Sequence, residues 1–243
     1  MNPLKDRLKE ELKPLYQKLI KHTQEYCEGK DIFPFIIQWG KDFPSNLNKG
    51  LMFVGRATNG WLNEDLDVEN MFDESSEERI FNRSNQMAWI SKNDDENYNT
   101  NHSAFFRVMR RVAQEFYPIK DEVNYIAWSN LCKLAPDGAN PSETLFKLQL
   151  NDDCNILKKE VDILSPKFVI MMTGIGWADN FISALNNNEW PEELLVAEDS
   201  WAGFPVSVYQ IDKHYIILTE HPQGKDEDAH VECLVSIIKK YKL

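Results

Sequence analysis

Four short apolar runs limit what this chain can become. "LMFVG" (51–55), "NYIAWSN" (124–130), "KFVIMMTG" (167–174) and "HYIILT" (214–219) are almost free of charged residues. A strand with one wet face alternates polar and apolar, whereas a run without alternation is covered on both faces. Between and after these runs lie segments with helical apolar spacing: 103–116, 142–166, 176–187 and 228–243. Strands separated by crossover helices pair in parallel, with helices over both faces of the sheet. The expected fold is therefore α/β, a three-layer α/β/α sandwich around a central, mainly parallel four-stranded sheet. "PVSVYQI" (205–211) alternates and is placed to pair with 214–219 through the tight "DK" turn.

The remainder fills in around that core. Leu4, Leu8, Leu12, Leu15 and Leu19 form one stripe of an N-terminal helix over 4–27, with Pro14 as a candidate kink. Residues 61–101 are polar and irregular, an insertion or lid with a short helix near 76–90, and Ser103 is a plausible N-cap for the helix that follows. Neither a repeat nor a linker divides the chain, so 1–243 reads as one domain. The start "MNPLKDRLKEELK" is too charged for a signal peptide, and no run of 18 apolar residues exists. Cys27, Cys132, Cys154 and Cys233 form no CxxC pair and fit no zinc spacing. These features predict a cytoplasmic protein with free thiols, no metal and no membrane partner. The net charge of −12 argues against nonspecific binding to nucleic acid. Much of the acid, however, is concentrated in 63–79 and 93–97. Arg107, Arg110 and Arg111 are the best candidate for a basic patch; the alternative is a solvated helix face.

Ligands of open α/β sheets bind beyond the carboxyl ends of the strands. After the first run come Gly55, Arg56, Ala57, Thr58, Asn59, Gly60 and Trp61; after the second, Asn130 and Lys133; after the third, Thr173, Gly174 and Gly176; after the fourth, His221, Pro222 and Gln223. This set offers a Gly-rich loop, a bidentate amide and a histidine, but no nucleophile–base pair, GxSxG, Walker loop or GxGxxG. Each residue has a plain alternative. Asn130 either caps a turn or reads a ligand, and His221 is either a reacting group or a turn residue. Trp61 and Phe105 serve either packing or ring stacking. Lys133 is either a surface lysine or part of the site.

"GLMFVGRATNGW", "YIAWSNLCKLAP", "LKKEVDILSPKFVIMMTG" and "YIILTEHPQGK" resemble, in order, four blocks of the uracil-DNA glycosylase superfamily, with the nearest likeness to its bacterial iron–sulfur branch. Asn130, Lys133, Pro136, Glu160, Pro166, Lys167, Gly174, His221 and Pro222 carry the likeness, which spans about 50–240. The resemblance implies base excision from DNA: a damaged or deaminated base flipped into a pocket and its glycosidic bond hydrolysed. By that likeness His221 stabilises the departing base and Asn130 reads its edge, while Gly55, Arg56, Ala57, Trp61, Phe105, Lys133 and Gln223 line the substrate. The first loop departs from the family pattern. Arg56 and Ala57 stand where an acidic or amide residue is usual, so Asn59 is the candidate to position water, and Glu64 and Asp65 near the loop either supply a carboxylate or belong to the acidic insertion. Leu134 stands where a cluster cysteine would follow Lys133, and Cys154 is alone in its neighbourhood, so neither an iron–sulfur cluster nor any other cofactor is expected. No apolar wedge follows "HP". The second reading is a non-catalytic member of the fold that holds a nucleobase, nucleotide or protein partner in the same pocket.

Overall fold

The computed structural model describes residues 3–43, 50–58, 66–75, 81, 87–91, 99–117 and 122–242. Helix α1 (Pro3–Cys27) runs through Pro14 and buries Leu8, Leu12, Tyr16 and Leu19. Short strands β1 (Ile32–Pro34) and β2 (Gln38–Trp39) lead to β3 (Leu51–Gly55). Two single-turn helices follow, α2 (Val68–Met71) and α3 (Ala88–Ser91), and then α4 (Ala104–Phe116). Ser103 takes the N-cap position of α4 but makes no side-chain capping bond. Next come β4 (Ile126–Asn130), β5 (Leu134–Pro136) and α5 (Glu143–Leu164). Helix α5 starts where the Ser142 side chain accepts from Leu145 N–H and stops where Ser165 turns left-handed ahead of Pro166. The chain closes with β6 (Phe168–Met172), α6 (Ile175–Leu185), β7 (Leu195–Trp201), β8 (Phe204–Ile211), β9 (His214–Thr219) and α7 (Glu227–Lys240).

The four apolar runs are neighbours in one sheet, in the order β4–β3–β6–β9, all parallel. The sheet is larger than the four strands expected. Among the described residues it has seven, because β8 and β7 extend it antiparallel beyond β9, and β2 pairs antiparallel with β4 at the other edge. The hairpin across Asp212–Lys213 forms as its alternation requires, pairing Ile211 with His214. Strand β7 escapes the apolar-run criterion because all but its last residue are exposed or half-exposed.

Alternation sorts each central strand between two cores. Met52, Val54, Ala127, Val169, Met171, Ile216 and Leu218 face one core, which includes residues of α1, α5 and α6. Leu51, Phe53, Ile126, Trp128, Phe168, Ile170, Met172 and Ile217 face the other, with α4 and α7. Helices therefore cover both faces of the sheet. The 61–101 stretch is not simply a polar excursion: its described residues Met71, Phe72, Phe81, Met87 and Ile90 are fully buried or nearly so. Most of the helix expected near 76–90 lies outside the described residues. No described helix is long and apolar enough to cross a membrane.

Candidate site at the carboxyl edge of the sheet

The register brings the ends of the central strands level, with Gly55 opposite Asn130 and Met172 opposite Thr219. Gly55 is demanded by what lies over it. A Cβ there would sit 2.5 Å from Asn130 Oδ1 and 3.3 Å from a ring carbon of Phe105. The Asn130 side chain is 1% exposed, yet its Nδ2 has no hydrogen-bond partner among the described residues. An orphaned buried donor costs about 1–3 kcal/mol unless something supplies an acceptor. Phe105 belongs to the α4 core, and its ring also lies nearly parallel to that of His221, at 19° with centroids 6.4 Å apart.

His221 is half-buried at the tip of β9. Its Nδ1 accepts the Gln223 N–H at 3.2 Å, and its carbonyl accepts from Lys225 Nζ at 2.8 Å. Burial, then the charges of Arg56 and Lys225, push its pKa down to about 4. The ring is accordingly neutral near pH 7. With Nδ1 accepting, the proton resides on Nε2, which has no partner among the described residues. Behind it lies a pair that sequence reasoning missed. His230 is fully buried, stacks on Trp201 at 3.9 Å, and its Nε2 meets Thr219 Oγ1 at 3.1 Å. Trp201 Nε1 donates to that same hydroxyl at 2.8 Å, which pins the end of β9 just before Glu220 and His221.

Arg56 points to the other side of the strand end. Its Nε donates to Thr173 O at 2.7 Å, and its guanidinium carbon lies 5.5 Å from the Trp177 ring centroid. Its Nη2 stops 4.0 Å from Glu220 Oε2. Glu220, absent from the sequence-based set, lies against Gly174. A Cβ on that residue would come within 2.7 Å of Glu220 Oε1, and its φ of +80° also favours glycine.

Lys133 requires correction as a substrate contact. It is 0% exposed, and Nζ donates to Ser129 Oγ, Asn130 O and Glu160 Oε2 at 2.7, 2.8 and 2.8 Å. It holds the end of β4 in place from behind. Ala57 is half-buried against the α1–α5–α6 core. The side chain of Gln223 is exposed, and the contact it makes with the site is through its backbone N–H. Asn59, Trp61, Glu64 and Asp65 lie outside the described residues. The candidate basic patch is consumed internally: Arg107 pairs with Glu227, Arg110 with Glu122 and Arg111 with Asp228. All four cysteines are free and buried, and no group of three or more described His, Cys, Asp or Glu residues is placed to hold a metal. No known protein-family model matches the chain, and neither does any curated protein.

Proposed function

We propose that the chain is a uracil-DNA glycosylase-like hydrolase that releases a damaged or deaminated base from DNA, with its sheet and helices arranged as in that superfamily. The observation that carries this reading is the buried, unpartnered amide of Asn130, set over Gly55 and beside Phe105 and a neutral His221. A flipped base supplies the missing acceptor. Its Watson–Crick edge meets the Asn130 amide, and its π-face has Phe105 to stack on. As the glycosidic bond lengthens, negative charge grows on the base. The His221 Nε2–H, fixed by the bond that Nδ1 accepts, is a preorganised donor for that charge, worth roughly 3 kcal/mol. A neutral donor suits this task because it need not lose a proton near pH 7.

A second reading, a module that binds a nucleobase or nucleotide without cleaving it, draws on other observations. The net charge is −12, and Arg107, Arg110 and Arg111 are all engaged in ion pairs. One experiment separates the two. Oligonucleotides containing uracil, hypoxanthine or xanthine, single- and double-stranded, are incubated at low salt with protein in large excess. The glycosylase reading expects release of at least one of these bases. Binding of free base or nucleotide with no release from any oligonucleotide selects the binding module.

A further inference from the structure

We propose that Glu220 is the catalytic carboxylate of this site, holding and deprotonating the attacking water across from Arg56; the proposal rests on the glycosylase reading. The loop after β3 supplies no acid among its described residues, since Arg56, Ala57 and Thr58 follow Gly55. The carboxylate comes instead from the opposite wall. Glu220 directly precedes His221, and alternation at the end of β9 sends the two side chains to opposite sides of the sheet edge. His221 turns to Phe105, and Glu220 to Gly174 and Arg56.

The geometry is that of an open pair. Arg56 is anchored through Nε on Thr173 O. The remaining 4.0 Å between Nη2 and Oε2 is too long for a hydrogen bond. A single water can touch both at ordinary hydrogen-bond lengths, subtending an angle of about 90°. The two side chains are 28% and 29% exposed, so the gap is reached from solvent. Gly174 lets the carboxylate lie this low, because any side chain there would displace it. Glu220 has no hydrogen-bond partner of its own among the described residues, unlike Glu160, which Lys133 and Ser129 both engage.

The step balances without a co-reactant. The C1′–N bond breaks and its electron pair leaves with the base, under the His221 Nε2–H. The water oxygen forms a bond to C1′ as its proton passes to the Glu220 carboxylate. Solvent protonates the released base anion and receives the proton from Glu220. The sum is hydrolysis: one water consumed, one free base and one sugar hemiacetal formed.

The test compares wild type with Glu220→Gln, which keeps the shape over Gly174, on whichever base-containing oligonucleotide wild type cleaves. Single-turnover release is expected to fall by about 10²–10³-fold, while the Kd for the same oligonucleotide stays within about twofold. Glu220→Asp recovers part of the rate. A Glu220→Gln enzyme that cleaves like wild type, or that loses binding in proportion to rate, overturns this proposal while leaving the glycosylase reading intact. A wild type that releases no base from any oligonucleotide removes that reading and this proposal together.

Discussion

Two polar clusters flank the end of β4 and differ in what they leave undone. Behind the strand, Lys133, Ser129 and Glu160 are fully buried, and Lys133 places three donor bonds on its neighbours. In front of it, among the described residues, Asn130 keeps an amide nitrogen without a partner and His221 keeps a free Nε2, while on the other side of the sheet edge Arg56 and Glu220 face one another without closing. In the first cluster the chain itself supplies every bond to Lys133 and to Glu160 Oε2, and only Glu160 Oε1 is left without a partner among the described residues. The second lacks partners at three places, all at the carboxyl edge where α/β sheets bind ligands. Burial and polarity alone do not separate scaffold from site, and neither does a single unpartnered atom, since Glu160 Oε1 has none either; the first cluster is a closed, fully buried ion pair, whereas the second opens at the sheet's carboxyl edge. Substitutions in the first cluster should therefore cost stability, and those in the second should cost function.

The largest effect is expected from Lys133→Met. It leaves the Glu160 carboxyl buried without its cation and should remove about 3–5 kcal/mol of stability in urea titration. Adding Glu160→Leu should restore most of that loss, because no charge then remains buried. A single variant within about 1 kcal/mol of wild type would break the distinction.

Next in size are pH effects of opposite sign at Asp153, beside the first cluster, and at the histidines. Asp153 is fully buried with neither carboxylate oxygen in a close hydrogen bond among the described residues, and burial pushes its pKa well above the usual carboxyl value. The folded state therefore holds a proton that the unfolded state releases, and this contribution weakens as pH rises above about 4. Asp153→Asn should raise Tm at pH 8 by about 2–4 °C and change it little at pH 4. The site histidines act in the opposite direction. Burial lowers His221 to about 4 and His230 to about 3. Their share is present above the unfolded histidine pKa of about 6.5 and is lost as pH falls through the folded values. In a His221→Ala, His230→Phe pair, the loss of Tm between pH 6.5 and 4 should be shallower than in wild type.

The smallest stability effect is expected at Asn130. Its amide completes nothing in the free protein, so Asn130→Ala should stay within about 1 kcal/mol of wild type, while oligonucleotide binding weakens and base preference relaxes. A loss as large as that of Lys133→Met would reassign Asn130 to the scaffold.

The distinction between the clusters also marks what the sequence could tell. The central strands and the residues at their ends were legible because uninterrupted apolar runs and the carboxyl-edge rule are both local patterns. Asn130 and His221 followed from position alone. Lys133 did not, because its burial is decided by Glu160, which lies 27 residues further on and reaches it only once α5 packs on the sheet. Glu220 was not among the residues picked out beyond the fourth run. The signal was there, since two polar residues closing an apolar strand must face opposite sides, but the matching glycine at 174 shows its purpose only in three dimensions. Strands β2 and β7 escaped notice because one is two residues long and the other is largely exposed. The buried residues of 61–101 were masked by the acidic residues around them.

The central claim is that the incomplete cluster is where a base is held and released. Its most direct measurement is single-turnover base release by wild type and His221→Ala from the preferred oligonucleotide, with Tm recorded on the same preparations. The account predicts a fall of about 10²–10³-fold in release, the usual loss for one transition-state donor, with Tm near that of wild type at pH 7. Equal release by the two proteins would contradict it, and His221 would then be only the turn that follows a strand.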